Sequence, residues 1–253
     1  ADGSFQKVHY TAEELALPDL KRRYYALDLF VEHAFANNWW GKVEYTFSRN
    51  WGNTEGQLHS DLDTGSGGQS DVSVTQDWDL PQLMVGASGP LPNHRKHQLK
   101  AFGFYQWSPE WRTGASLIVA SGRPRSCTSY YPTADAGLYN GSYYYFCGLA
   151  GTGTDPSSPG YVPPSDDYRF SPRGSAGTNP WTYQLNLNVA YTPNWANNKL
   201  TFQMDVLNVL NRQVAATWYG RYASDRVTPD PRFGQELLYS SPRAVRLTAR
   251  YDF

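Results

Sequence analysis

The sequence predicts an all-β fold: an antiparallel, up-and-down transmembrane β-barrel segment of about seven strands, an incomplete barrel, with long extracellular loops. Three observations predict it. Apolar and polar residues alternate with period two in seven segments of about ten residues, the length that crosses a bilayer at ~45° tilt. The charges in those segments keep to one parity. The links between them alternate strictly between short and long.

The alternation runs through 24–35, 40–50, 97–107, 112–121, 181–191, 199–209 and the C-terminus. It is cleanest at 181–191, where Trp181, Tyr183, Leu185, Leu187, Val189 and Tyr191 share one face and Thr182, Gln184, Asn186 and Asn188 share the other. The C-terminus sets Val245, Leu247, Ala249, Tyr251 and Phe253 against Arg246, Thr248, Arg250 and Asp252. The pattern is weakest at 97–107, because Phe102 and Phe104 fall on the face of Lys100. Asp28, Glu32, Lys42, Glu44, Lys100, Arg112, Lys199, Asp205, Arg246, Arg250 and Asp252 lie on the polar parity. Only Arg49 and Arg243 lie on the apolar one, both near strand ends. One face therefore meets something that does not solvate charge; Arg or Lys at a bilayer midplane costs about 2–4 kcal/mol. The core of a soluble sandwich would impose the same split, so the links carry the distinction.

The links at 36–39, 108–111 and 192–198 are short and hold the turn formers Asn37-Asn38, Ser108-Pro109 and Pro193-Asn194. Those at 51–96, 122–180 and 210–242 are long and rich in Gly, Ser, Asp and Pro. Loops beyond about 12–15 residues are uncommon in compact soluble domains. Outer-membrane barrels, in contrast, set tight periplasmic turns opposite long extracellular loops. Phe35, Trp39, Trp40, Trp107, Trp111, Tyr191, Trp195, Tyr251 and Phe253 collect beside the short turns or the C-terminus. Rings with an apolar body and a polar edge favour that headgroup level. Near the start, Thr11-Ala12-Glu13-Glu14 has capping-box spacing and predicts a short helix to about Leu17, stopped by Pro18.

Composition excludes other classes. The 253 residues carry 22 Lys+Arg against 23 Asp+Glu, a net charge of −1 that argues against a strongly basic nucleic-acid binder and against an acidic disordered tail. No stretch approaches the ~18 consecutive apolar residues of a membrane helix. The chain opens Ala1-Asp2-Gly3 with neither Met nor an apolar leader, which reads as a processed or truncated start. No Gly-x-Ser-x-Gly elbow accompanies its Ser, His and Asp residues, so no enzyme is expected, and no cofactor. Cys127 and Cys147 are the only cysteines and form no Cys-x-x-Cys, which argues against a thiolate zinc site. They read as a bridge closing a loop in an oxidising compartment, with two free thiols as the other reading. His94 and His97 stand three apart, but Pro92 and the adjoining strand argue against the helix that would aim both at one ion. Asp61, Asp63 and Asp71 fit no EF-hand spacing and read as a solvated loop, so no metal is expected.

The candidate ligand residues are loop aromatics with polar neighbours: Trp78 and Asp79, Tyr144 and Tyr145 beside Cys147, and Trp218, Tyr219 and Arg221. Such platforms suit sugar rings, peptides or ferric chelates, and the same rings also suit packing one loop against another. Asp28, Glu32, Lys42, Glu44 and Asp205 on the polar face can line a solute path, meet a plug or pair with one another across strands.

Four blocks carry a family resemblance. They are Arg23-Tyr24-Tyr25-Ala26-Leu27 with Val43-Glu44-Tyr45-Thr46-Phe47-Ser48-Arg49 and Gly52-Asn53-Thr54-Glu55-Gly56; Gly89-Pro90-Leu91-Pro92-Asn93-His94-Arg95-Lys96-His97 running on to Gly103-Phe104-Tyr105 and Ser121-Gly122-Arg123-Pro124; Asp205-Val206-Leu207-Asn208-Val209-Leu210-Asn211; and Ser241-Pro242-Arg243 leading to Ala249-Arg250-Tyr251-Asp252-Phe253. In that order the chain resembles the C-terminal part of the barrel of a TonB-dependent outer-membrane receptor of the Oar-like subfamily. Full-length members of that group carry an N-terminal carboxypeptidase-regulatory-like domain. The resemblance implies an outer-membrane transport and receptor protein of a Gram-negative bacterium that takes up a scarce solute, either a siderophore, an oligosaccharide or a peptide. Its partners would be outer-membrane lipid, the TonB complex through a plug domain, and the outer-membrane assembly machinery, which would read Leu247, Ala249, Tyr251 and Phe253. Such receptors have about 22 strands and a plug; seven strands do not close around a useful lumen, and open edges in lipid leave amide and carbonyl groups unpaired at several kcal/mol each. Residues 1–253 are therefore expected to be the last part of a longer barrel, with the plug and the earlier strands absent. The alternatives are a secreted all-β lectin or adhesin that binds glycans through its loops, and a small self-contained porin.

Overall fold

A computed structural model of the chain describes residues 8–56, 60, 80–135, 141–153 and 155–253. Among them lie β1 (Arg22–Ala36), β2 (Trp39–Gly52), β3 (Gly89–Pro90), β4 (His97–Gln106), β5 (Trp111–Ala120), β6 (Phe146–Cys147), β7 (Arg169–Phe170), β8 (Thr182–Tyr191), β9 (Leu200–Leu207) and β10 (Ala244–Tyr251). The seven long strands coincide with the seven alternating segments. They form one antiparallel sheet in the order β1-β2-β4-β5-β8-β9-β10, each strand beside its predecessor in the chain. The sheet is open, with β1 and β10 as its edges. This is the up-and-down barrel segment that the alternation predicts, and β3, β6 and β7 are short additions within the long links.

Two of the three short links use residues that tolerate left-handed backbone. Asn37 and Asn38 have φ of 50° and 66°, and Asn197 and Asn198 have 53° and 59°. At the two-residue tip of the β1–β2 hairpin the left-handed pair Asn37-Asn38 matches the right-handed twist of its strands, whereas Asn197 caps the 3-10 turn Asn194–Ala196 that leads into β9.

Register then carries one apolar face across the whole sheet. Val31 faces Val43, Val43 faces Ala101, Ala101 faces Leu117, Leu117 faces Leu185, Leu187 faces Val206 and Met204 faces Leu247. That face is open: Leu29 is 55% exposed, Val31 76% and Leu247 76%. Strand-to-strand contacts run between hydrogen-bonded neighbours, and among the described residues no second layer covers the apolar side.

Two local expectations change. At residues 11–17 the Thr11 hydroxyl and the Glu14 carboxylate exchange hydrogen bonds with each other's backbone N–H, at 3.2 and 2.8 Å. The segment nevertheless makes a single turn, not a helix. Ala16 goes left-handed (φ 55°), and Leu17 N–H bonds back to the Ala12 carbonyl at 2.8 Å, which ends the turn before a second can form. Trp40 is not part of an outward aromatic belt. It sits opposite Phe104 on the polar face and donates its indole N–H to Glu32 at 3.1 Å.

Two clusters of buried apolar residues sit in the loops at the far end from the short turns. Met84, Ala87 and Tyr145 make one cluster with Leu17 packed against it. Tyr130, Ala150 and Ala223 make another, with Leu149, Tyr168 and Tyr222 alongside.

Candidate functional site

The loop body is assembled from segments far apart in sequence. Cys127 and Cys147 are joined by a disulfide across 20 residues. Beside it, Ser129 pairs with Tyr144, and Thr128 pairs with Arg221 from the last long link. The Thr128 amide donates to the Gly220 carbonyl at 3.0 Å, and the Tyr222 amide donates to the Thr128 carbonyl at 2.8 Å. The last link folds on itself as a ladder, with Ala215 opposite Tyr239, Trp218 opposite Glu236 and Ala223 opposite Pro229. Gly148 (φ 102°) holds a turn at which a side chain would run into the Tyr168 backbone.

Arginines and tyrosines lock these segments together. The Arg226 guanidinium donates to the carbonyls of Gly151 (2.7 Å) and Pro132 (3.0 Å), and burial lowers its pKa. Tyr222 donates its hydroxyl to Asp167 at 2.7 Å. Tyr219, fully buried, donates to Asp230 at 2.9 Å, and Arg232 donates to both. The Arg232 hydrogen bond holds the Asp230 carboxyl down to about 2, while burial and the neighbouring Asp230 push the Tyr219 phenol up to about 12. Arg173, 1% exposed, donates to the Tyr145 hydroxyl at 2.6 Å.

These contacts decide where the candidate ligand residues sit. Tyr144, Tyr145 and Tyr219 are buried. They meet the loop interior and hold the loops to one another. Trp218 and Arg221 are half-buried: Arg125 lies 5.1 Å over the Trp218 ring, and Arg221 lies over Tyr143 while donating to the Ser142 hydroxyl at 3.0 Å. Tyr144 and Arg221 come together through the adjoining bridges at Ser129 and Thr128, whereas Tyr145 turns away toward Met84, Ala87 and Arg173. Trp78 and Asp79 lie outside the described residues, as do Asp61, Asp63 and Asp71. Arg173, Arg226, Asp230 and Arg232 were not legible in the sequence. The partners of Arg226 lie up to 94 residues away.

His94 and His97 take separate partners. The His94 Nδ1 accepts from the Asn50 amide at 3.1 Å, and the His97 Nδ1 lies 2.8 Å from the Tyr45 hydroxyl. No metal-holding group of His, Cys, Asp or Glu occurs among the described residues.

The polar face of the sheet is a second built surface. Lys100 and Lys42 flank Glu44 at 3.2 and 3.6 Å, and Arg246 binds Asp205 at 3.0 Å. Asp205 also accepts from Gln203 at 2.7 Å and is 6% exposed. Phe102 and Phe104 belong to this face, where Arg112 lies 5.5 Å over the Phe104 ring, so the weak alternation at 97–107 marks aromatics placed among charges. A cavity of about 430 Å³ opens here among Trp40, Phe104, Arg112, Asn186, Asn188 and Asp205. Leu247, Ala249 and Tyr251 share the apolar face of the edge strand, and the Tyr251 ring meets the Phe253 ring edge-on at 5.2 Å.

No protein-family model matches the chain. In sequence it is similar to the TonB-dependent transporter Oar of Myxococcus xanthus, 25% identical over 277 residues that take in 93% of this chain and 23% of the relative. The chain thus spans less than a quarter of the length of that curated relative. In backbone shape it is similar to the outer membrane transporter YddB of Escherichia coli (TM-score 0.48, 12% identity, 92% of this chain and 26% of the other). It is also similar to the ferric-catecholate import receptor Fiu of E. coli K12 (TM-score 0.46, 15% identity, 92% of this chain and 21% of the other). The resemblance read from the four sequence blocks is borne out by Oar, and these relatives are named as transporters and a receptor, not as enzymes.

Proposed function

We propose that residues 1–253 form the C-terminal part of the barrel wall, with its outer loops, of a TonB-dependent receptor in the outer membrane of a Gram-negative bacterium. One observation carries the reading: among the described residues, an apolar face seven strands wide stays uncovered. Monomeric soluble proteins rarely expose apolar patches beyond a few hundred Å², and burying one such side chain is worth about 1.5–3 kcal/mol. Lipid tails satisfy that face. The open edges β1 and β10 support a longer barrel, because further strands pair their free amide and carbonyl groups. A secreted lectin offers nothing to cover the apolar face, and a self-contained porin leaves both edges bare.

In this reading the disulfide-tied loop body faces outward and receives a scarce solute, whether ferric chelate, oligosaccharide or peptide. The polar face, with its Lys–Glu and Arg–Asp pairs, lines the lumen against a plug. An energised inner-membrane partner acts on that plug, and the wall does no covalent chemistry. Leu247, Ala249, Tyr251 and Phe253 present the edge read during assembly, by main-chain pairing of the kind an exposed strand offers.

The test follows the whole protein in its own cells. It is expected in the outer-membrane fraction, resistant to alkaline extraction. Uptake of labelled ferric chelates, oligosaccharides or peptides is expected to stop when the inner-membrane proton gradient is collapsed. A soluble protein, or uptake indifferent to the gradient, rejects the reading.

A further inference from the structure

One of the two charges on the apolar parity, Arg49, marks a place the transport reading does not use. Arg49 lies on the apolar face near the loop end of β2, two residues from Phe47 and two from Trp51, and its guanidinium lies 4.6 Å over the Trp51 ring. Lys96, from the link that enters β4, brings its ammonium 5.9 Å over the ring of Phe47. His97 stacks on Trp181 at 5.9 Å. Together with His94 these residues line a cavity of about 740 Å³ whose lining among the described residues includes no carboxylate. Among the described residues no acidic side chain pairs with Arg49 or Lys96, and both are exposed. Burial lowers the His94 pKa and the nearby Arg49 and Lys96 charges lower it further, so both cations act on this cavity together.

Position gives this cluster its meaning. A cation facing hydrocarbon is costly at the midplane and nearly free at the interface. Phe47, Trp51 and Trp181 are aromatics of the kind that sit at headgroup level, and here they frame cations at the end of the sheet that carries the long loops. Two cations framed by aromatic rings, and without an acidic partner among the described residues, fit an anionic headgroup attached to acyl chains. We propose that the cavity formed by Phe47, Arg49, Trp51, His94, Lys96 and Trp181 binds the phosphate of an outer-leaflet lipid headgroup. The inference rests on the reading that the apolar face meets lipid. The acyl chains lie along that face, and the phosphate bridges Arg49 and Lys96.

The experiment extracts the whole protein from its membrane in mild detergent and measures retained phosphorus by mass spectrometry, separating lipid-linked from inorganic phosphate. Arg49→Gln with Lys96→Gln is expected to lower retained phospholipid or phosphoglycolipid about thirtyfold, roughly fivefold for each basic residue near an anionic surface. Arg49→Lys keeps the charge and most of the retention. Arg112→Gln, on the polar face, leaves it unchanged. Equal retention in the double variant, an equal loss with Arg112→Gln, or retention of inorganic phosphate alone overturns the site. A protein absent from the membrane fraction overturns the transport reading as well, whereas a membrane-embedded protein with unchanged retention overturns only the lipid site.

Discussion

Asn208 donates its side-chain amide to the Ser241 carbonyl across 2.8 Å, closing the mouth of the last long link. The same amide donates to the Arg212 carbonyl at 3.1 Å, and the Asn208 backbone N–H donates to Asn186 on β8 at 2.9 Å. With φ of 49°, Asn208 also supplies a left-handed residue just past the end of β9. Asn208→Ala removes a side chain that is 3% exposed and takes its amide donor from the Ser241 and Arg212 carbonyls, which costs about 0.5–1.5 kcal/mol for each hydrogen bond lost. Faster amide exchange and proteolysis across 209–240, with β9 and β10 still protected, is the expected result. Unchanged exchange contradicts the clasp.

A neighbouring restraint acts on the other long link. The disulfide closes a 20-residue loop, and by chain entropy a bridge of that span contributes about 3 kcal/mol. Cys127→Ser with Cys147→Ser is expected to expose 128–146 to protease and to loosen the Thr128–Arg221 bridge. The seven-stranded sheet does not depend on it and is expected to keep its circular-dichroism band. Loss of both together means that the loop body and the sheet fold as one unit.

The Tyr219–Asp230–Arg232 group makes loop stability depend on pH from both sides. Asp230 has a folded pKa of about 2, below the unfolded value of about 3.9. Its contribution is therefore complete above about pH 4 and is lost as pH falls through about 2. Tyr219 is raised to about 12, so its contribution is present below the unfolded value of about 10. That contribution is lost as pH rises through about 12. Asp230→Asn is expected to flatten the acid limb of near-ultraviolet denaturation. Tyr219→Phe is expected to flatten the alkaline limb and, because its hydroxyl donates to Asp230, to shrink the acid limb without removing it. A variant that leaves its own limb unchanged rejects the assignment.

How much of this was legible depended on the range of the interactions. Period two fixes which side of a strand a residue takes, so Leu187 and Asn188 could be assigned to faces from their neighbours alone, and the strict alternation of link lengths gave the meander. Asn37-Asn38 announced its turn because the left-handed preference is a property of the residue itself. The loop body was not legible for the opposite reason. Tyr219 looked like a ligand platform because an aromatic beside Arg221 suits that role, and nothing local revealed that Asp230 and Arg232 would enclose it. Trp40 stands next to a turn, as belt residues do, but its parity decides its place, on the polar face beside Glu32.

The membrane assignment turns on what a charge costs on each face. Leu187 lies midway along β8 on the apolar side and is 42% exposed, whereas Gln184 faces the polar side. In lipid, Leu187→Arg carries about 2–4 kcal/mol near the midplane, while Gln184→Arg remains solvated and is expected to be tolerated. In water the two substitutions differ little, because both side chains reach solvent. Heat-modifiable migration of the whole protein on gels, which reports the folded barrel, is therefore expected to fall for Leu187→Arg and to hold for Gln184→Arg. Equal behaviour of the two variants removes the lipid from the apolar face.

Assembly gives the last comparison, between two residues of the same C-terminal run. Phe253 is fully exposed and touches Tyr251, and Asp252 N–H bonds to the Lys199 carbonyl at 2.8 Å, so the end of the chain is held in register while its ring points away from the sheet. Removing an exposed ring costs the folded state little, because no packing is lost. If the ring serves recognition during insertion, Phe253→Ala lowers the yield of membrane-embedded protein severalfold while the embedded fraction keeps wild-type thermal stability. Arg250→Ala, which breaks the 2.8 Å pair with Asp252 on the polar side, is expected to leave yield unchanged, since exposed pairs of this kind contribute about 0–1 kcal/mol. A Phe253→Ala protein that inserts normally but melts earlier would make the ring a structural element of the edge, with no part in recognition.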